Sequence, residues 1–223
     1  MNLIRFPEGA VVVSPAYLGS TDYWAAVCAF GRVTIDDAGR FDKRLKSTHR
    51  CEIADVNGMM QLTVPIEKPV SMTAARWNQI RLSAHGEWWH QHRVAMESAY
   101  GGTPYFEYYA PLFEPFWQPE ALTTHEHLTD YDRALFDVIA RIAGVEGTVE
   151  RSSQSGLPAE AADYRGKRLP QAAEVPYYQV RGARLGFIAH LSIVDLIFNM
   201  GPETPLVLKR MIEETKSPFS SLC

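Results

Sequence analysis

The 223-residue chain has little cysteine, no long apolar run and no excess of positive charge. Its cysteines, Cys28, Cys51 and Cys223, are scattered without paired spacing, which is typical of reduced thiols in a cytoplasm. No apolar stretch reaches the roughly 18–20 residues of a membrane span, and the first residues lack the pattern of a secretory signal. The formal net charge of -4 argues against a nucleic-acid partner. We therefore expect a cytoplasmic protein without a membrane span.

Common motifs of nucleotide-binding proteins and hydrolases are also absent. The glycines form neither a G-x-G-x-x-G turn nor a G-x-x-x-x-G-K-[ST] loop, and there is no G-x-S-x-G elbow. Five of the seven histidines lie between His85 and His127, but the spacing of His90 and His92 would point them to different sides of a helix. The sequence predicts no metal site and identifies no cofactor. A metal-dependent hydrolase built on these histidines stays open as a third alternative.

Strand patterns concentrate in the first half of the chain. Residues 10–13 and 32–35 are rich in β-branched side chains, which favour strands. Strands over 51–56 and 59–64 flank Asn57-Gly58, a pair that suits a type I′ hairpin turn. A second hairpin is predicted over 177–187, around Gly182.

Helical periodicity dominates later in the chain. It covers residues 87–100 and 129–143, and two short helices are predicted at 193–199 and 205–214. Residues 152–170 resemble a loop. The order of elements predicts an α/β or α+β fold, in which a mixed sheet from the N-terminal half is packed by helices from the C-terminal half. The length fits a single compact domain over 1–223.

His92 has two interpretations. It follows Trp88 by one turn and precedes Met96 by one turn, on a largely apolar helix face. A histidine in that position is either a satisfied core residue or a general acid or base, since its ordinary pKa is near 6.5.

Asp195 lies in a second polar stripe with Ser192 and Asn199, within a segment that is otherwise apolar. Ser192 and Asp195 have the spacing of a capping box, which needs no ligand. The alternative is a functional carboxylate that orients His92 as a catalytic dyad. Asn199 is not explained by the capping box.

Short segments along nearly the whole chain, in unchanged order, resemble the WbqC-like family of bacterial proteins. They are Pro15-Ala16-Tyr17-Leu18-Gly19, Arg50, Asn57-Gly58, Trp88, His92, Glu97-Ser98-Ala99-Tyr100, Pro104-Tyr105-Phe106-Glu107-Tyr108-Tyr109, Ser152-Ser153, Tyr178-Gln179, Gly186-Phe187, Leu191-Ser192-Ile193-Val194-Asp195-Leu196 and Asn199. Three positions, Ser14, His49 and His190, depart from residues that are common in the family. The resemblance implies one WbqC-like domain over 1–223.

The resemblance also implies a role in bacterial polysaccharide and nucleotide-sugar metabolism, including O-antigen synthesis. The leading hypothesis is a group transferase that acts on an activated sugar or amino sugar, with a nucleotide sugar as its small-molecule partner. The alternative is a non-catalytic binding or assembly module of a glycan-synthesis complex, for which the aromatic segment 106–117 would supply an interface. The sequence does not define the oligomeric state.

Candidate site residues follow from both arguments. His92 and Asp195 are the predicted catalytic pair. Aromatic rings suit sugar or base faces, Arg50 suits a phosphate, and paired serine hydroxyls suit an anion. The predicted substrate-binding residues are Tyr17, Arg50, Trp88, Tyr100, Ser152, Ser153 and Asn199.

Overall fold

The computed structural model describes residues 9–71, 74–145, 147–152 and 160–215. In these ranges the strands are Ala10–Val13 (β1), Arg32–Ile35 (β2), Arg50–Asp55 (β3), Gly58–Thr63 (β4), Thr148–Arg151 (β5) and Ala162–Asp163 (β6). The helices are Thr21–Cys28 (α1), Trp88–Tyr100 (α2), Phe106–Phe113 (α3), Ala121–Thr124 (α4), Leu128–Ala143 (α5), Gly182–Leu185 (α6), Ile193–Met200 (α7) and Thr204–Glu214 (α8).

Four strands form a parallel sheet in the order β5-β2-β1-β6. Val11 is opposite Val33 on one side and Ala162 on the other, and Val33 is opposite Val149. β1 and β2 are buried almost throughout, as expected of parallel strands that are covered on both faces. Because the strands are parallel, the loops that follow them meet at one edge of the sheet.

The predicted hairpin is confirmed, but its turn is shifted by one residue. β3 and β4 pair antiparallel with Asp55 opposite Gly58, so the two turn residues are Val56 and Asn57. Gly58 has a φ of +113°, whereas Asn57 does not adopt a positive φ, so the type I′ turn at Asn57-Gly58 is wrong. The hairpin forms a separate two-stranded sheet.

The predicted mixed α/β class is confirmed, with two corrections to the strands. β5 and β6 come from the second half of the chain, and the strands divide between two sheets rather than forming one. The hairpin predicted over 177–187 is wrong. Side chains take the place of a strand partner there, because Val180 N–H donates to Asn199 Oδ1 and Ile188 N–H donates to Gln179 Oε1, both at 2.9 Å.

The predicted helices over 87–100, 129–143, 193–199 and 205–214 are confirmed to within a residue or two as α2, α5, α7 and α8. Buried apolar side chains from the parallel sheet, the hairpin and these helices form one core cluster. Within the described ranges no helix has the length and apolar character that crossing a membrane requires. The extension of one WbqC-like domain over 1–223 stays a prediction.

Gly201, which ends α7, provides a test of how tightly the core is packed. It has a φ of +52°, and a Cβ at this position would lie 2.5 Å from the Tyr105 ring. We expect Gly201→Ala to lower the free energy of unfolding by about 2–4 kcal/mol, through backbone strain and overpacking. Urea denaturation measures the change.

Gly102→Ala is the matched control, because no atom lies within 4 Å of the Cβ that it would add. A Gly201→Ala protein as stable as Gly102→Ala would contradict the packing described for the end of α7.

Candidate active site

A cavity of about 230 Å³ lies where the starts of α1 and α7 meet the β3–β4 hairpin. Most of the polar side chains that line it are donors or can carry a positive charge. Its lining residues are Ala16, Tyr17, Gly19, Ser20, Tyr23, Lys46, Ser47, Arg50, Cys51, Glu52, Gln61, Leu169, His190 and Ser192.

Backbone hydrogen bonds join the two helix starts in an antiparallel bridge. Thr21 N–H donates to Leu191 O and Ile193 N–H donates to Gly19 O, each at 2.9 Å. Ser20 caps α1, because its hydroxyl accepts the Tyr23 N–H at 3.2 Å. These bonds bring residues from opposite ends of the sequence to one cavity wall.

The chain reaches both helix starts through left-handed backbone. Leu18 and Gly19 have φ values of +59° and +60°, and His190 has a φ of +62°. A Cβ on Gly19 would lie 2.7 Å from Trp24 Nε1, so only glycine fits there. Left-handed backbone at the other two residues costs about 1–3 kcal/mol each, and such strain concentrates at functional sites.

Arg50 and Lys46 supply positive charge to the cavity. Arg50 Nη1 donates to Gln61 Oε1 at 2.9 Å, but its buried Nε has no hydrogen-bond partner. Across the part of the chain that the structure describes, neither cation lies within 4.0 Å of a carboxylate. An anion in the cavity would therefore meet cations that no carboxylate already neutralises.

Ser192 also has an unused polar group at the cavity wall. It is only 2 % exposed, and its Oγ has no hydrogen-bond partner. Its neighbour is the thiol of Cys51, a weak acceptor; burial raises the pKa of that thiol and keeps it protonated, against a smaller lowering effect of Ser192. Buried polar atoms are nearly always paired, so this hydroxyl is suited to a ligand.

The capping box predicted for Ser192 and Asp195 is wrong. Ser192 occupies the N-cap position of α7, but its hydroxyl accepts no bond from the helix. In a capping box the Asp195 carboxylate would accept the Ser192 backbone N–H. That N–H donates instead to Glu52 O at 2.8 Å, so the carboxylate is bonded to other residues.

His92 is a buried residue held from both sides. Its Nδ1 is 2.8 Å from the Tyr17 hydroxyl and its Nε2 is 3.1 Å from Thr63 O. A carbonyl only accepts, so the Nε2 carries the proton and the Nδ1 accepts from Tyr17. Burial lowers the pKa of His92 to about 4, against a weaker opposing effect of the Thr63 carbonyl. His92 therefore contacts the cavity only through Tyr17.

Asp195 belongs to a different network, so the direct His92–Asp195 dyad is wrong. Its Oδ2 accepts from the Tyr177 hydroxyl at 2.7 Å and from Gln179 Nε2 at 2.8 Å. Burial raises the pKa of Asp195, while Tyr177, Gln179 and Tyr100 lower it. With both nitrogens of His92 bonded elsewhere, Asp195 has no direct means of orienting that ring.

The other predicted site residues lie around the cavity rather than in it. Trp88 is buried against His92 at a ring distance of 5.3 Å, and Tyr100 accepts the Ala54 N–H at 3.2 Å. Asn199 donates to Asp195 O at 2.7 Å. These three residues hold the surrounding core, and of the predicted residues that the structure describes, Tyr17 and Arg50 alone line the cavity.

The predicted serine pair lies elsewhere. Ser152 follows β5, donates to Asp36 Oδ1 at 2.9 Å and accepts the Ala38 N–H at 3.3 Å. It therefore belongs to the edge of the parallel sheet. Ser153 lies outside the described residues.

Sequence reasoning missed Lys46, Glu52 and His190, which line the cavity. His190 Nδ1 is 2.9 Å from Asp22 Oδ1, an ion pair when the ring is protonated. Only His190 had a signal in the sequence, as a departure from the residue common at its position in WbqC-like proteins. Lys46 and Glu52 looked like ordinary surface charges.

The fold and cavity define an α/β protein with a cationic, partly enclosed site. A model of the WbqC-like protein family matches residues 14–169, so the chain belongs to the WbqC-like family. Membership suggests a function related to polysaccharide or O-antigen biosynthesis. No curated protein and no solved structure matches the chain. A search confined to the described residues finds no group of three or more His, Cys, Asp or Glu side chains that could hold a metal ion.

Two serines at the cavity wall should respond differently to removal of the hydroxyl. We expect Ser192→Ala to change the free energy of unfolding by less than about 0.5 kcal/mol, because its Oγ has no partner to lose. Ser20→Ala should cost about 1 kcal/mol through loss of the helix cap. Urea denaturation of both variants tests this, and a large loss in Ser192→Ala would contradict the unpaired hydroxyl.

The pH dependence of stability should reveal His92. An unfolded histidine has a pKa near 6.5 and folded His92 has one of about 4, so the unfolded chain binds the proton first. The contribution of His92 is complete above about pH 6.5 and is lost as the pH falls toward 4, by up to about 3 kcal/mol. The free energy of unfolding, measured from pH 7 to pH 4, should therefore fall less steeply in His92→Gln than in the wild type.

His90→Gln is the control, since His90 is exposed on the same helix. It should keep the wild-type slope. Equal slopes in all three proteins would mean that His92 is not buried in its neutral form.

Proposed function

We propose that the protein is a group transferase that acts on a nucleotide-linked sugar or amino sugar, and that the cavity at the starts of α1 and α7 holds the phosphorylated sugar. One observation carries the proposal: two unpaired donors, Arg50 Nε and Ser192 Oγ, belong to residues of a cavity wall that also contains Lys46. The family association with polysaccharide and O-antigen biosynthesis supports the same substrate class.

Charge supports a phosphate as the group that is bound. A guanidinium makes bidentate hydrogen bonds to phosphate oxygens, and these charge-assisted bonds are stronger than neutral ones. The backbone hydrogen bonds between the two helix starts hold the wall in place before any ligand arrives. The sugar-proximal phosphate would therefore bind at Lys46 and at the Arg50 guanidinium, and small side-chain shifts would bring Arg50 Nε and Ser192 Oγ to it.

Size and surface support a sugar beside that phosphate. A volume of about 230 Å³ is below the ~300–1,000 Å³ of pockets that enclose a drug-sized ligand, so the cavity suits one part of a nucleotide sugar. Ala16, Tyr17 and Leu169 supply an apolar surface for a sugar face.

Glu52 is the carboxylate of the cavity wall and is placed to accept a proton. In the proposed transfer, the hydroxyl or amine of the sugar forms a bond to the group carried by the donor, the remainder of the donor departs with the electrons of the broken bond, and the proton of the sugar hydroxyl or amine passes to this carboxylate. His92 and Asp195 act as positioning residues in this proposal. His92 fixes Tyr17, and Asp195 fixes the helix that carries Ser192.

The second candidate function is a non-catalytic assembly module. Tyr108 is 74 % exposed and Leu112 is 46 % exposed on α3, which supports an aromatic interface. Phe113, Phe116 and Trp117 of the same predicted segment are buried, so the patch is smaller than the sequence predicts. The enclosed cavity with its unpaired donors favours the enzyme.

Thermal shift measurements with UDP-, dTDP- and GDP-sugars test the substrate class. At a ligand concentration of about 100 times the dissociation constant, binding adds about 2.7 kcal/mol of stability, which is roughly 5–10 °C for a chain of this size. We expect one sugar series to raise the melting temperature, and Arg50→Gln to weaken that binding at least tenfold.

Arg210→Gln is the matched control, because it removes the same charge from an exposed i,i+4 pair with Glu214 on α8. It should keep the wild-type shift. If no nucleotide sugar raises the melting temperature, or if Arg50→Gln keeps the full shift, the proposed ligand is wrong.

A further inference from the structure

A second cavity, of about 550 Å³, opens at the carboxyl edge of the parallel sheet and is called here the crevice. Its lining contains five cationic side chains and two carboxylates. The lining residues are Ser14, Asp36, Gly39, Arg40, Asp42, Arg44, Leu45, Trp77, Arg165, Gly166, Lys167 and Arg168.

Sheet topology makes this edge a favourable place for a ligand. β1 pairs with β2 on one side and with β6 on the other, so the strand order reverses direction at β1. In open parallel sheets, ligands bind outside the carboxyl ends of the strands at such a switch point. Ser14 follows β1, Asp36 follows β2, and Arg165 follows β6, and all three line the crevice.

The floor of the crevice is fixed by its own hydrogen bonds. Arg165 Nη1 donates to Asp36 Oδ2 at 2.8 Å, and Ser152 donates to the other oxygen of Asp36. Ser14 Oγ accepts the Gly166 N–H at 3.1 Å, which ties the loop after β1 to the loop after β6. The loops are therefore held in position around the space.

Two of the five cationic side chains in the crevice have no carboxylate partner among the described residues. Arg44 pairs with Asp42. Arg165 and Arg168 both pair with Asp163, and Arg165 also pairs with Asp36. Arg40 and Lys167 form no ion pair within 4.0 Å among the residues that the structure describes. The charge of Lys167 contributes to lowering the pKa of Asp42, after the larger effect of Arg44.

Two free cations match the charge of one phosphate dianion. The volume exceeds what a phosphate alone would fill and lies within the ~300–1,000 Å³ range of small-molecule pockets. Trp77 is 3 % exposed and packs against Phe41, so at the crevice it supplies a rigid wall rather than a free face for a base.

The crevice and the active-site cavity share walls. Leu45 lines the crevice and Lys46 lines the cavity, and the same holds for Arg168 and Leu169. The chain segments 45–46 and 168–169 therefore border both spaces. In the proposal, a ligand too long for the cavity passes one of these segments to reach the crevice.

We propose that the crevice binds the nucleoside phosphate part of the substrate, with Arg40 and Lys167 on the phosphate. The inference rests on the proposed function for the identity of the attached sugar, whereas binding of a free nucleotide rests on the crevice alone. The crevice thus gives the protein a nucleotide site without a glycine-rich phosphate loop.

Isothermal titration calorimetry with UMP, dTMP and GMP tests the proposal. We expect at least one of these nucleotides to bind, and the R40Q/K167Q double variant to weaken that binding at least tenfold. The K209Q/R210Q double variant is the matched control, since it removes two charges from the exposed surface of α8 and should bind as the wild type does.

Comparison ligands separate the possible failures. The matching nucleoside and inorganic phosphate should each bind at least tenfold more weakly than the nucleotide. A nucleotide that binds, while no nucleotide sugar raises the melting temperature, would refute the proposed function and leave the crevice as a nucleotide site. Inorganic phosphate binding as tightly as the nucleotide, no nucleotide binding at all, or unchanged binding in R40Q/K167Q would each overturn the proposal.

Discussion

The antiparallel bridge between the starts of α1 and α7 is the constraint on which the site depends. It uses backbone groups of Gly19, Thr21, Leu191 and Ile193, and the chain enters both helices through left-handed backbone at Leu18, Gly19 and His190. The Asp195 N–H, which a capping hydroxyl would accept, donates to Ser192 O at 2.9 Å, so the Ser192 hydroxyl is left without a helix partner at the cavity wall. Strain at the helix starts is thus the cost of bringing the hairpin, α1 and α7 together.

Some of the buried polar groups described here are hydrogen-bonded within the protein, and others have no hydrogen-bond partner. His92 is bonded at both nitrogens, so it makes the wall behind Tyr17 rigid. Asp132 is buried with neither oxygen bonded, but burial and then Asp37 raise the pKa of its carboxyl, which favours the neutral form and reduces the cost of burying it. Arg50 remains charged, so its unpaired Nε points to a ligand more strongly than Asp132 does.

Local features of the fold could be predicted because periodicity and capping act over a few residues. The helices α2, α5, α7 and α8 and the existence of the first hairpin follow from such patterns. The error at 177–187 arose because Gln179 and Asn199 satisfy the backbone there with side chains, which no local pattern reveals. A polar stripe shows that Asp195 is buried but not which residue it contacts, so the sequence could place neither its partners nor the cavity.

Net charge is a poor guide to the ligand of this protein. The chain carries a formal charge of -4, yet both cavities present cations without carboxylate partners. Charges more than about 8 Å apart are largely screened at physiological ionic strength, so a bound group responds to its immediate neighbours. At the crevice those neighbours are Arg40 and Lys167, because Asp36, Asp42 and Asp163 already neutralise the other arginines. Internal pairing of acidic residues at the sheet edge therefore creates an anion site in an acidic protein.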